Sequence, residues 1–118
     1  MSEKPNILLI MTDQHRADHV GFIGNPTVRT PNLDSLASSG CVFENAWVSN
    51  PVCMPNRATI LTGRMPTAHG VIFNDRSLDW HANTFVRQLR ADGYRTALLG
   101  KSHLPHGMSR NSVVDFRG

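Results

Sequence analysis

Five consecutive apolar residues, Ile7-Leu8-Leu9-Ile10-Met11, lie between Pro5-Asn6 and Thr12-Asp13. The run is short for a helix and lacks polar alternation. It predicts a strand covered on both faces, as in a parallel sheet with helices packed over it. Thr30-Pro31 reads as an N-cap followed by proline at the first helical position, with Leu33, Leu36 and Ala37 on one face and Gly40 as the stop. Residues 42–48, rich in β-branched and aromatic side chains, predict a second strand. Pro55 opens another helix that carries Ala58, Ile60 and Leu61 and ends near Gly63. Asn83 or Thr84 caps a further helix through Phe85, Val86 and Leu89, stopped by Gly93, and residues 94–100 predict a strand. Strands alternating with capped helices predict an α/β layered fold. Residues 108–118 show no periodicity and no closing element, so residues 1–118 are expected to form an incomplete, N-terminal part of a domain.

Composition narrows the class without choosing a function. A chain of 118 residues is about one small domain and buries roughly two-thirds of its unfolded surface. Forty percent apolar and 18% charged residues exclude collagen-like and grossly disordered chains. Twelve Lys/Arg against nine Asp/Glu give +3, but the cations form no run, so nucleic acid is not an expected partner. No apolar stretch approaches the ~18 residues of a membrane span, so no membrane association is expected. The first six residues carry no signal-peptide pattern, which predicts a cytoplasmic protein. Cys41 and Cys53 are too few for a disulfide framework or a four-cysteine zinc site.

Ligands of open α/β sheets bind beyond the carboxyl ends of the strands. Thr12-Asp13-Gln14 follows the first predicted strand and Lys101-Ser102-His103 the last. A carboxylate and an amide oxygen suit a hard divalent cation, whereas lysine and histidine suit an anionic substrate. Either cluster alone also fits an ordinary polar loop. With Pro55 at a helix start, Cys53 falls just before the helix, where unpaired N–H groups and the helix dipole favour an anion. Arg57 sits one turn on and can hold charge there with a forked guanidinium. The plainer alternative is a small buried cysteine with arginine on a solvated face.

At these residues the sequence resembles the sulfatase family. Cys53-x-Pro55-x-Arg57, continued by Ala58 and Leu61-Thr62-Gly63-Arg64, looks like the sulfatase signature. Pro5-Asn6-Ile7 through Asp13, Thr30-Pro31-Asn32-Leu33-Asp34 through Gly40, and Gly93-Tyr94-Arg95-Thr96 through Leu104 resemble other family segments in order and spacing. The resemblance implies an alkaline-phosphatase-like layered fold, with a largely parallel central sheet and helices on both faces, present here in its N-terminal part.

It also implies a sulfuric ester hydrolase that depends on a divalent metal, Ca²⁺, Mg²⁺ or Mn²⁺. Cys53 would be converted to Cα-formylglycine by a formylglycine-generating enzyme. The hydrated aldehyde would supply the nucleophilic oxygen, and its second hydroxyl would let the bound sulfate leave. Asp13, Gln14 and residue 53 would be metal ligands. Arg57 would steady the formylglycine, Lys101 would bind the sulfate, and His103 would hydrogen-bond the formylglycine or the reacting group. The substrate would be a small anionic sulfate ester.

Two departures qualify the expectation. Many family members carry two aspartates where this chain has Asp13-Gln14, a form similar to the branch of choline sulfatases and phosphonate monoester hydrolases. The family fold is also several times longer than this chain. The alternatives are therefore a phosphonate monoester or phosphodiester hydrolase, or an inactive truncated fragment. Homo-oligomerisation of a full-length protein stays open, and the isolated 118 residues are expected to turn over little. Asp13, Cys53, Arg57, Lys101 and His103 are expected at one sheet edge. His15, Asp18 and His19 are expected to line a pocket mouth, His69 to be structural, Trp47 and Trp80 to pack in a core or lid, and Cys41 to be buried.

Overall fold

The computed structural model describes residues 4–104 and 114–115. Two compact units divide the chain, Met1–Ala46 and Trp47–Gly118.

In the first unit, a 3-10 turn at Gly21–Ile23 packs on helix α1, Pro31–Ser39. The helix has the predicted limits, with Thr30 at the N-cap and Gly40 at the C-cap. Thr30 does not cap through its side chain, however. Its hydroxyl instead donates to Asp34 Oδ1 (2.8 Å) and accepts the Gly21 N–H (2.8 Å), while Asp34 Oδ1 also accepts the Phe22 N–H (2.9 Å). A Cβ on Gly21 would lie 2.5 Å from Asp34 Oδ2, so this close approach requires glycine. A cleft of about 560 Å³ is lined by Thr12, His15, Val20, Leu33, Leu36 and Cys41 among others.

In the second unit, helix α2 spans Cys53–Thr62, α3 Pro66–His69 and α4 Phe85–Ala91. Gly63 closes α2 in left-handed backbone (φ 66°), donating to Thr59 O. Thr84 Oγ1 caps α4 by accepting the Arg87 N–H at 3.2 Å. Met54 and Ala58, one turn apart on α2, are buried with Val71; Leu78 and Leu104 pack around them. The short helix α3 carries no sequence-level prediction, since four residues are too few for a hydrophobic period.

The predicted strands are largely corrected. Residues 7–11 form no ladder among the described residues, and their side chains are open, Leu8 at 83% exposure. A strand exists only against a neighbour, and no described segment pairs with this one. Residues 42–48 are broken by a turn at Glu44-Asn45, asparagine being a turn former. Residues 94–100 shrink to strand β1, Ala97–Leu98, paired antiparallel with β2, Val114–Asp115, within the stretch expected to lack regular structure. Among the described residues this antiparallel pair replaces the expected parallel sheet.

Cys41 and Trp80 are exposed, and Trp47 is 91% exposed, so none is core packing among the described residues. No helix among the described residues is long and apolar enough to cross a membrane.

Candidate active site

Cys53 is the first residue of α2, not the residue before it, and Pro55 stands two positions inside. This shift changes the local electrostatics. The Met54 N–H donates to Asn74 Oδ1 (3.0 Å), Pro55 has no N–H, and the Asn56 N–H donates to Val52 O (3.1 Å). The expected set of unpaired helix donors beyond Cys53 is thus already engaged. Positive charge at the site comes from side chains instead.

Lys101 supplies it most directly. Its Nζ donates to Cys53 Sγ at 3.9 Å, across forty-eight positions of sequence. Arg57, one turn below Cys53 on α2, donates from Nη1 to the Lys101 carbonyl oxygen at 2.7 Å. Just beyond Lys101, Ser102 is buried, Leu104 packs on the Met54–Ala58–Val71 core, and Leu104 O accepts the Leu78 N–H. The segment carrying Lys101 is therefore held against α2 by apolar burial and by a charge-assisted hydrogen bond. His103 is half-buried, in left-handed backbone (φ 50°) that few non-glycine residues adopt.

Behind α2, Thr59 Oγ1 meets His69 Nε2 (3.0 Å) and Ser49 Oγ (3.1 Å), while His69 Nδ1 accepts the Val71 N–H (3.2 Å). With Nδ1 accepting, Nε2 carries the proton and donates to Thr59, the neutral tautomer. Burial and the nearby Arg64 cation both push the His69 pKa down. This histidine ties α2 to α3 and the core.

Asp13 and Gln14 belong to the first unit, where both are exposed and Gln14 has φ 53°. The structure thus gathers Cys53, Arg57 and Lys101 within one unit, with His103 two residues beyond Lys101. The side chains of His15, Asp18 and His19, expected at a pocket mouth, are engaged with their own loop. Arg16 and His19 donate to the Asp18 carboxylate, holding it well below the usual carboxylate range, and His15 Nε2 donates to His19 O. His15 does line the cleft of the first unit.

Among the described residues, no three His, Cys, Asp or Glu side chains gather to hold a metal. Asp13 and Gln14 offer at most three side-chain oxygens where such cations take about six. By themselves the described residues do not complete a cation site.

Asn74 gives no sequence signal, because its bond to Met54 spans twenty positions and neither residue belongs to a recognisable cap motif.

Residues 5–117 match the sulfatase family. The chain is 45% identical over 101 residues to an ulvan-active sulfatase of Formosa agariphila, covering 86% of this chain and 20% of that one. It is 43% identical over 102 residues to an arylsulfatase of Clostridium perfringens, covering 86% and 21%. A protein solved in complex with its substrate, D-glucosamine-2-N,6-O-disulfate, superposes with a TM-score of 0.84 at 36% identity, over 86% of this chain and 21% of that one. The chain spans about a fifth of the length of the curated relatives it matches. A match across nearly the whole sequence, carried by likeness in both sequence and backbone, places this chain in the sulfatase family.

Proposed function

We propose that residues 1–118 supply the N-terminal part of a sulfatase catalytic domain of the alkaline-phosphatase-like class, which hydrolyses sulfate esters. Cys53 is the site of the nucleophile, after conversion to Cα-formylglycine by a formylglycine-generating enzyme. The observation that carries this reading is the approach of Lys101 Nζ to Cys53 Sγ, 3.9 Å, with Arg57 bonded to the Lys101 carbonyl.

The side chains divide the work. Lys101 places an ammonium with three donors beside residue 53, suited to the oxygens of a sulfuryl group. Arg57 fixes the backbone from which that ammonium projects and adds a permanent cation to the site. His103 hydrogen-bonds residue 53 or the reacting group. Asp13 and Gln14 are the chain's contribution to a divalent-cation site, of calcium, magnesium or manganese, that the described residues do not complete. When present, the formylglycine hydrate supplies an oxygen nucleophile that cysteine lacks.

The substrate is a small anionic sulfate ester. The test uses the protein from the complete reading frame, co-expressed with a formylglycine-generating enzyme. Release of sulfate from an aryl sulfate, lost in Cys53→Ala, supports the reading. Faster turnover of a phosphonate monoester than of the sulfate ester assigns the phosphonate branch instead, and no turnover of either by aldehyde-bearing protein overturns the proposal.

A further inference from the structure

We infer that Asn74 is a positioning residue for residue 53. The role at residue 53 rests on the sulfatase reading above; the clamp itself rests on geometry alone.

The first turn of a helix leaves N–H groups without intrahelical partners, and the residue at the N-cap ordinarily supplies an oxygen to one of them. Helix α2 has Val52 at that position, whose side chain has no oxygen. The nearby Asn50 serves the N-cap residue, its Oδ1 accepting the Val52 N–H at 2.8 Å. The acceptor for the Met54 N–H comes instead from Asn74, twenty residues on, at 3.0 Å.

This contact is delivered by the fold. Val71, three residues before Asn74, is fully buried against Met54 and Ala58, so the chain leaves the core beside the start of α2.

The consequence falls on residue 53. The Met54 N–H lies in the rigid peptide plane that begins at the Cys53 carbonyl. Holding that N–H fixes the plane, and with it ψ of Cys53 and the direction in which its side chain leaves the helix. Lys101 Nζ meets that side chain at 3.9 Å. Asn74 bonds backbone, so oxidation of the Cys53 side chain leaves its contact intact. Without it the first turn of α2 can fray, and residue 53 sweeps a wider arc relative to the ammonium.

Two measurements test this separately. Amide hydrogen exchange, read residue by residue on the same protein from the complete reading frame, addresses the clamp. Asn74→Ala should speed exchange of the Met54 amide by about fivefold to tenfold, the scale of one lost hydrogen bond. Asn74→Asp keeps the oxygen and should leave it within about threefold. The Val71 amide is the reference for an intact core. An unchanged Met54 rate in Asn74→Ala, with Val71 still protected, overturns the clamp.

Steady-state kinetics on the aldehyde-bearing enzyme address the role. Asn74→Ala should lower kcat about tenfold with KM within about twofold, and Asn74→Asp should recover most of the loss. A kcat unchanged in Asn74→Ala while Met54 exchange accelerates overturns the positioning role. Absence of turnover in the unsubstituted enzyme defeats the sulfatase reading, and the exchange data still decide the clamp.

Discussion

Arg57 Nη1 donates to the Lys101 carbonyl oxygen at 2.7 Å, joining one turn of α2 to the end of a segment forty-four residues away. A half-buried bond from a permanent cation contributes about 1.5–3 kcal/mol. Arg57→Ala is expected to lower the urea midpoint of unfolding accordingly. Arg57→Lys should recover little, because a single ammonium on a shorter stem does not reproduce the guanidinium's reach and planarity. Equal midpoints for all three proteins would show that the contact contributes nothing to stability.

Modification is predicted at one cysteine only. Co-expression with a formylglycine-generating enzyme should reduce the mass of the Cys53 peptide by about 18 Da, the exchange of sulfur for oxygen with loss of two hydrogens. The Cys41 peptide should keep its mass despite its exposure. Arg57→Ala should reduce the yield at Cys53, and Cys41→Ala should not. Peptide mass spectrometry reads all three.

Stability should fall with acid through His69. Its neutral form makes both ring contacts, and its pKa is pushed below the ordinary 6.5 by burial and by Arg64. The unfolded chain then binds more protons than the folded one once pH drops below 6.5. This contribution is complete above that value and is lost as pH falls through the folded pKa. The Tm difference between the native protein and His69→Gln should therefore narrow between about pH 7 and pH 5. A gap that widens on acidification would contradict the neutral tautomer.

Gly21 should resist even the smallest side chain. The Cβ of Gly21→Ala would meet Asp34 Oδ2 at 2.5 Å, while Oδ1 of the same carboxylate holds Phe22 and Thr30. Overpacking of this kind costs about 1–3 kcal/mol. Amide exchange at Phe22 should accelerate in that variant while amides of α2 stay protected.

Cation binding by these 118 residues should be weak. With Asp13 the one carboxylate of the Asp13-Gln14 pair, at least half of the roughly six oxygens that calcium or magnesium takes would have to be water. Calorimetric titration with Ca²⁺, Mg²⁺ and Mn²⁺ should give shallow isotherms without a stoichiometric break.

The parts of this molecule that could be read in the sequence are those decided within a few residues. Thr30-Pro31, Thr84 and Gly63 mark the ends of α1, α4 and α2 because caps and stops act locally. Strands depend on partners, so Ile7-Leu8-Leu9-Ile10-Met11 reads as a strand from its side chains yet finds no ladder among the described residues. Cys41, apolar enough to predict burial, lies exposed for a related reason: what covers a residue is a tertiary fact. At the site, Cys53 and Arg57 are legible as neighbours one helical turn apart. Lys101 is legible as the polar end of a predicted strand and through family resemblance, whereas the Asn74–Met54 bond links residues with no shared motif.

The open run at residues 7–11 bears on how inorganic sulfate, the product of the proposed reaction, must be handled at the bench. Sulfate is excluded from protein surfaces and strengthens the burial of apolar groups. Leu8 and Ile10, 83% and 69% exposed, are the groups it would drive together between molecules. Loss of signal at high sulfate would then combine occupancy of the Lys101 site with salting-out of the chain. Phosphate at matched ionic strength shares the second effect but is a different ligand, and light scattering alongside the titration separates a filled site from a precipitating protein.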